Sequence, residues 1–477
     1  MHVPSRMDAT RHPGPTLAPL ERGRLLSILE ALEDGLVERR PVVRLALLAA
    51  LAGEHTLLVG PPGTAKSQLA RRLHLAFADG RYFERLLTRF TVPEELFGPL
   101  SIRALEEDRY ERQTAGFLPQ ATIAFVDEVF KANSAILNAL LTLLNEREFD
   151  NGPRREPCPL ISVIGATNVV PDDEVGEAFF DRFLVRLPVT PVSPTGFRAL
   201  LAVGERPPAP APGALGAAER AAIARAADGV RLGDEVQALL GEARIRLAAD
   251  GLYVSDRRWV KIARLLAVAA ATEGRGEVAL WDLWLLPWCT APDAARQASV
   301  SDWLAARLGV REALSPPRLT RVVEAFEAQL EAERQANDLD YDEQGRLRLG
   351  ADLAAEVGDA KGGASAPRLA YTRRRRYGDA HVGARLAQLD DLLRRIDAYA
   401  AELSVRRDDL AAFLAQGVWV DAGFAARADD ALRATEDAVG ALRGRALRAR
   451  DGFEALPRLP RDPGSIPEPV AHEPLGT

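Results

Sequence analysis

Eight consecutive residues, Gly60-Pro61-Pro62-Gly63-Thr64-Ala65-Lys66-Ser67, have the types and spacing needed to hold a polyphosphate. Glycines at both turns let the backbone bend tightly and aim its N–H groups at phosphate oxygens. Lys66 supplies a point charge for the β- and γ-phosphates, and Ser67 a hydroxyl for magnesium. The pattern is a P-loop in which Ala65 replaces the second glycine. A residue at a helix start is expected to be right-handed, where alanine is at no disadvantage. Gln68, next on the helix, completes the expected phosphate cradle.

A metal on the triphosphate needs an acidic ligand from the other side. The apolar run Ile123-Ala124-Phe125-Val126 reads as a buried strand and ends in Asp127-Glu128. Asp127 is the candidate magnesium ligand through water, and Glu128 the candidate that polarises an attacking water. A third run, Val163-Ile164-Gly165-Ala166-Thr167-Asn168, ends in an amide able to orient that water.

These residues need strands that end on one edge of a sheet. Strand readings fall at Thr56 to Val59, Ile123 to Val126, Leu160 to Ile164 and Phe183 to Val189, with helices from Lys66 and over Ser134 to Leu144. Such alternation predicts an α/β core, a largely parallel sheet between helices. Leu20 to Ala52 has helical spacing ahead of it, and the prolines between Thr190 and Gly216 mark a boundary. From Ala217 to about Ala298 helical patterns run without a strand, as an all-helical lid would.

At 477 residues the chain exceeds one ordinary core, and its 47% hydrophobic and 27% charged residues suit a globular protein. A net charge of -7 and a pI near 5.6 argue against whole-surface attraction to nucleic acid or acidic membranes. Two cysteines, Cys158 and Cys289, make neither a disulfide framework nor a zinc knuckle, and fit a reducing compartment. The expected location is cytoplasmic, without membrane insertion, because no apolar stretch is long enough to span a bilayer.

The expected organisation is a disordered tail over 1–19, the nucleotide-binding core over 20–190, a linker over 191–216 and the helical lid over 217–300. A mainly helical C-terminal domain follows over 301–335 and 380–458, interrupted by a small insert over 336–379. A disordered proline-rich tail closes the chain over 459–477. Leu386, Leu389, Leu393, Ile396, Tyr399 or Ala400, and Leu403 are spaced as a helix-packing seam, read as packing within a helical domain. The insert holds a possible strand at Arg346 to Leu349, a flexible stretch at Lys361 to Ser365 and the basic cluster Arg373 to Arg376.

The phosphate, acid and amide motifs, with the long run from Phe125 to Arg147, resemble the MoxR group of AAA+ ATPases. Glu54 to Leu58, Gly116 to Pro119 and Ser255-Asp256-Arg257-Arg258-Trp259 resemble its RavA branch. The resemblance covers about residues 21 to 300. It implies magnesium-dependent ATP hydrolysis in a homo-hexameric ring, acting as a chaperone-like remodeller beside a von Willebrand factor A domain protein. Arg182 looks like the arginine finger given to a neighbouring subunit, with Arg147 a second trans candidate. Arg257 looks like the lid's sensor arginine, contacting the γ-phosphate in cis, and Arg258 is its fallback. Leu100 to Thr114 resembles a hairpin carried to the ring centre. Some RavA proteins bind an inducible lysine decarboxylase through their insert, but the insert here is shorter and that activity is not carried over. The rivals are a DNA-acting AAA+ motor, which would show polynucleotide-stimulated, salt-sensitive turnover, and an ATP-gated scaffold.

Overall fold

The computed structural model describes residues 22–78, 80–169, 174–203, 211–336, 375–460 and 464–475. The expected N-terminal tail lies outside these residues, as do the insert between its two ends, its possible strand and flexible stretch, and Arg373 and Arg374. Two compact units divide the rest: the first takes residues up to Leu308 with Phe413–Arg427, and the second Gly309–Ala412 with Ala428 onward.

In the first unit, β1 (His55–Val59), β2 (Tyr82–Leu86), β3 (Ile123–Asp127), β6 (Ser162–Thr167) and β7 (Phe183–Pro188) form one sheet, ordered β2-β3-β6-β1-β7. Every pairing in it is parallel. β6 is buried along its whole length and β1 nearly so, as a strand covered on both faces must be. Gly165 in β6 is required, because a Cβ there would lie 2.8 Å from the Phe183 ring on the facing side. Val126, Leu140, Leu143 and Phe179 pack into one buried apolar cluster. The helices Arg22–Glu33 and Arg40–Leu51 divide what the sequence reads as one helical stretch, and the glycine turn at Gly35 separates them.

Three elements carry little sequence signal. β2 reads Tyr-Phe-Glu-Arg-Leu because it is the sheet edge, where Glu84 pairs with Arg71 and Arg85 with Glu95. The antiparallel hairpin β4 (Glu148–Asn151) and β5 (Arg154–Pro157) is polar and largely solvated. A short helix, Phe197–Ala202, forms inside the proline-rich linker. The expected ring-centre hairpin is a loop holding the helix Ile102–Glu106, closed by an antiparallel bridge between Leu100 and Arg112.

The region expected as a lid is all helical, including Ala217–Asp228, Asp234–Ala249 and Asp256–Thr272, and continues through Ala294–Arg307. It packs within the first unit, so the unit boundary falls at Leu308, eight residues beyond the expected end at 300. Both cysteines lie buried and free.

In the second unit the helix Pro316–Gln335 buries Leu319, Val322, Val323, Phe326 and Leu330. The helix Asp379–Gln416 buries Leu389, Leu392, Leu393, Ile396, Tyr399 and Leu403, a stripe wider than a two-stranded seam. Gly452 lets the helix Ala422–Glu454 approach closely, since a Cβ there would meet Leu330 Cδ2 at 2.4 Å. The expectation of a disordered C-terminal tail is overturned for its described part: Val470 is buried, Glu473 pairs with Arg321 at 2.7 Å, and Arg385 donates to the Glu468 carbonyl. Prolines exclude helix there but permit an extended strap. Among the described residues no helix is long and apolar enough to cross a membrane.

Candidate functional site

β1 and β6 run in register, Val59 beside Thr167, and β3 lies on the other side of β6 with Val126 beside Gly165. The phosphate loop, Asn168 and the acid pair therefore leave three adjacent parallel strands at the same edge. That edge is where ligands bind in open α/β sheets.

The loop after β1 is held by its own backbone. Gly60 donates its N–H to the Thr167 carbonyl at 2.9 Å, and a Cβ at this position would lie 2.1 Å from the Val189 carbonyl oxygen. Gly63 has φ +79°. Ala65 caps the helix Lys66–Leu73 with φ +67° and ψ 23°, which corrects the expectation of right-handed geometry there. The helix starts one residue later, and the position before it must bend left-handed to turn the loop's amides inward. A non-glycine residue in that conformation costs roughly 1–2 kcal/mol.

Lys66 is buried, and its Nζ donates to the carbonyls of Gly60 and Pro61, each at 2.8 Å. Burial draws its pKa below the ordinary lysine value, while the charges of Asp127 and Glu128 oppose the shift, so the acid pair faces the loop. Thr64 donates its hydroxyl to the Pro61 carbonyl at 2.9 Å. Ser67 is half-buried on the first turn of the helix, and Gln68 beside it is exposed.

Glu128 also has left-handed geometry, φ 52°. Its N–H donates to Asp127 Oδ1 at 2.9 Å, and its own carboxylate lies 3.3 Å from Lys131 Nζ. Strain of this kind concentrates at functional sites, where the surroundings over-determine the backbone. Asn168 is exposed just past β6, and the Thr167 hydroxyl closes the turn by donating to the Val169 carbonyl at 2.8 Å.

A cleft of about 890 Å³ is lined by the phosphate-loop residues Pro62 to Ala65, by Arg39, Arg71 and Arg72, and by apolar side chains including Leu36, Val192 and Phe197. Loop amides, cationic and apolar groups in one cleft suit a nucleoside triphosphate. Magnesium fits only together with that triphosphate: one serine hydroxyl and one carboxylate are too few for a protein-only cage, but this ion characteristically takes phosphate oxygens and waters as well. No cluster of three or more His, Cys, Asp or Glu able to hold a metal occurs among the described residues.

Sequence reasoning missed Arg39. It is buried, donating from Nε to the Thr64 carbonyl at 3.2 Å and from Nη2 to the Thr190 carbonyl at 2.6 Å, so it ties the phosphate loop to the chain after β7. Nothing around Arg39-Arg40-Pro41 in the sequence marks this role, which arises from contacts 25 and 151 residues away.

The arginines divide by location. Arg182 precedes β7, whose first residue, Phe183, pairs with His55 at the start of β1. From there to Gly60 is five strand steps, about 16 Å, longer than an arginine side chain reaches. Arg182 lies 3.6 Å from Asp181, and its pKa is depressed by burial and then by the charge of Arg257. Arg257 is exposed and shares this far end. The expected cis contact of Arg257 with its own γ-phosphate is overturned, because Arg258, its neighbour on the helix Asp256–Thr272, bonds the Asp181, Phe183 and Leu184 carbonyls at this far end. Arg258, its fallback, is only 3% exposed, and its donors are taken by protein oxygens. Arg147 is likewise withdrawn as a trans candidate. Its guanidinium donates to the carbonyls of Gly53, Leu160 and Ile161 inside its own subunit.

Residues 23–210 match the family described as the MoxR domain in the MoxR-vWA-beta-propeller ternary systems, and residues 235–304 match the AAA lid domain. An uncharacterised protein of Methanocaldococcus jannaschii is 41% identical over 267 residues, 55% of this chain and 69% of that protein. A second protein of that organism is 53% identical over 163 residues, 34% of this chain and 43% of its own length. Chaperone MoxR1 of Mycobacterium tuberculosis is 30% identical over 181 residues, 37% of this chain and 45% of its own. The chain thus spans less than half the length of the last two.

Proposed function

Starting from the fact that the chain belongs to the MoxR-type AAA+ ATPases, we propose that it hydrolyses ATP between neighbouring copies of itself and uses the cycle to remodel a partner protein. The observation that carries this reading is the convergence of the phosphate loop, Asn168 and Asp127-Glu128 on one edge of three adjacent strands.

In this mechanism Lys66 exchanges its two carbonyl partners for β- and γ-phosphate oxygens, and the loop amides and helix N-terminus hold the rest. Ser67 and Asp127 would hold magnesium, which when bound neutralises charge on the phosphates. Glu128 accepts the proton of the attacking water, and Asn168 orients that water from the adjacent strand. Arg182 cannot serve its own site, so it reaches the nucleotide of a neighbouring subunit, and Arg257 beside it approaches the same phosphate. Charge developing on the phosphoryl oxygens is what these arginines stabilise. Hydrolysis then depends on assembly, for which a homo-hexameric ring is the proposed form.

The likeness of Ser255 to Trp259 and of Glu54 to Leu58 to the RavA branch supports placing the chain there. The matched family's description supports a von Willebrand factor A domain protein as its partner. Purified protein should show magnesium-dependent ATPase activity whose specific rate climbs with protein concentration and is lost in Lys66→Ala. A specific activity that stays constant across the concentrations over which subunits associate would refute catalysis between copies.

A further inference from the structure

The guanidinium of Arg258 uses all five of its N–H donors. Nε donates to the Cys289 carbonyl, Nη1 to the Asp181 carbonyl at 3.0 Å and to Asp181 Oδ1 at 3.2 Å, and Nη2 to the carbonyls of Phe183 at 2.9 Å and Leu184 at 2.7 Å. Arginine presents these donors in a rigid planar fork, so five matched acceptors fix its position and theirs. Four of the five acceptors belong to the residue before Arg182 and to the two after it, and the fifth is the Cys289 carbonyl. A fork closed on both sides of one residue clamps the backbone that carries it.

Asp181 adds a second constraint. Its carboxylate lies 3.2 Å from Arg258, 3.6 Å from Arg182 and 4.0 Å from Arg186, so one anion is shared by three cations. Arg258 also belongs to the helix Asp256–Thr272, where Arg257 is its neighbour. That helix is fastened again one turn on, where Lys261 pairs with Glu54 at 2.5 Å. Further along the chain, Gln297 donates to the Arg186 carbonyl at 2.9 Å. Arg182 and Arg257 thus sit on two segments riveted together at Arg258. All of this lies about five strand steps, on the order of 16 Å, from the subunit's own phosphate loop.

We propose that Arg258, through Asp181, is a positioning residue that sets Arg182 and Arg257 as one rigid pair for the nucleotide of a neighbouring subunit, without touching nucleotide itself. This rests on the reading of catalysis between copies. It assigns the defect of an Arg258 variant to the site next door, whereas a buried arginine that merely held the lid to the core would impair its own subunit.

Subunit complementation separates the two. Arg258→Lys keeps the charge and loses the fork. Alone it should lower kcat by about a hundredfold, the cost of roughly 1 Å of misplacement at a reacting centre, with KM for ATP within about twofold of wild type. Mixed one to one with Lys66→Ala, it should recover activity, because its intact phosphate loop now meets an intact Arg182 from the other variant. In a head-to-tail ring assembled at random, about a quarter of the interfaces have that order, so about a quarter of wild-type turnover is expected. Lys66→Ala mixed with Arg182→Ala is the reference and should recover equally. If the reference recovers and the Arg258→Lys mixture does not, the positioning role is wrong. If the reference itself fails, catalysis between copies is refuted and the inference goes with it. Should Arg258→Lys not assemble, Asp181→Asn takes its place, since it removes the shared carboxylate and leaves the four carbonyl bonds of Arg258. An Asp181→Asn mixture that shows no recovery overturns the proposal in the same way.

Discussion

Replacing Ala65 by glycine should stabilise the protein, although the change lies inside its phosphate loop. The backbone at Ala65 lies at φ +67° and ψ 23°. An L-residue held left-handed costs roughly 1–2 kcal/mol, and glycine removes that cost. Glycine also loosens the unfolded chain, which returns about 0.4–1 kcal/mol. The difference centres on a net gain of about 0.8 kcal/mol, within a span of about 0–1.6, worth about 1–3 °C in melting temperature for a unit of this size. The opposite perturbation sharpens the test: Ala65→Val puts a β-branched residue where left-handed geometry is hardest, and should lose about 1–3 kcal/mol. Thermal melts of both variants without nucleotide, beside wild type, supply the measurement. A glycine variant that melts below wild type by more than about 2 °C, or a valine variant that melts with it, would show Ala65 to be right-handed and the loop differently folded.

Glu128→Gln should retain nucleotide binding by calorimetry while turnover falls by about 10²–10⁴, the range for removing a general base; equal loss of both would give Glu128 a structural role. Arg147→Ala should destabilise by about 3 kcal/mol, because the guanidinium bonds three carbonyls of its own subunit, and mixing with Lys66→Ala should restore nothing; recovery on mixing would return it to the trans site. His55 is fully buried, donating from Nε2 to the Leu144 carbonyl while Nδ1 accepts from the Val163 N–H, and burial lowers its pKa to about 3. The folded state keeps this ring neutral while the unfolded chain takes up a proton below about pH 6.5, so stability is intact above that pH and declines as pH falls toward 3. The decline should approach about 1.4 kcal/mol per pH unit, near 2 kcal/mol by pH 5, and urea unfolding should show His55→Gln with a shallower acid limb. An acid limb unchanged by the substitution would assign the decline to other groups.

The sequence alone marked the candidate site where its residues are written consecutively. Gly60 to Ser67, Asp127-Glu128 and Asn168 were legible because each sits at the end of an apolar strand, and burial on both faces forces such strands to be continuous runs of hydrophobic residues. The same logic failed for β2, whose single sheet neighbour leaves room for Glu84 and Arg85, and for the polar hairpin β4–β5. It failed also for the C-terminal strap, because proline forbids helix and yet does not prevent extended packing.

What only the tertiary structure decided was which end of the sheet each arginine occupies and which of them are already bonded within the subunit. Arg147, Arg182, Arg257 and Arg258 are chemically identical, and motif resemblance alone put two in trans and two in cis. Register places Arg182 at the end of the sheet opposite the phosphate loop, since Phe183 lies beside His55, and the bonds of Arg258 to that segment hold the neighbouring Arg257 there too. Hydrogen bonding then removes Arg147 and Arg258, whose donors are taken by oxygens of their own subunit. The left-handed turn at Ala65 was hidden for a related reason. Residue type sets what a backbone prefers, but the closure of the loop around the space for a phosphate sets what it must adopt.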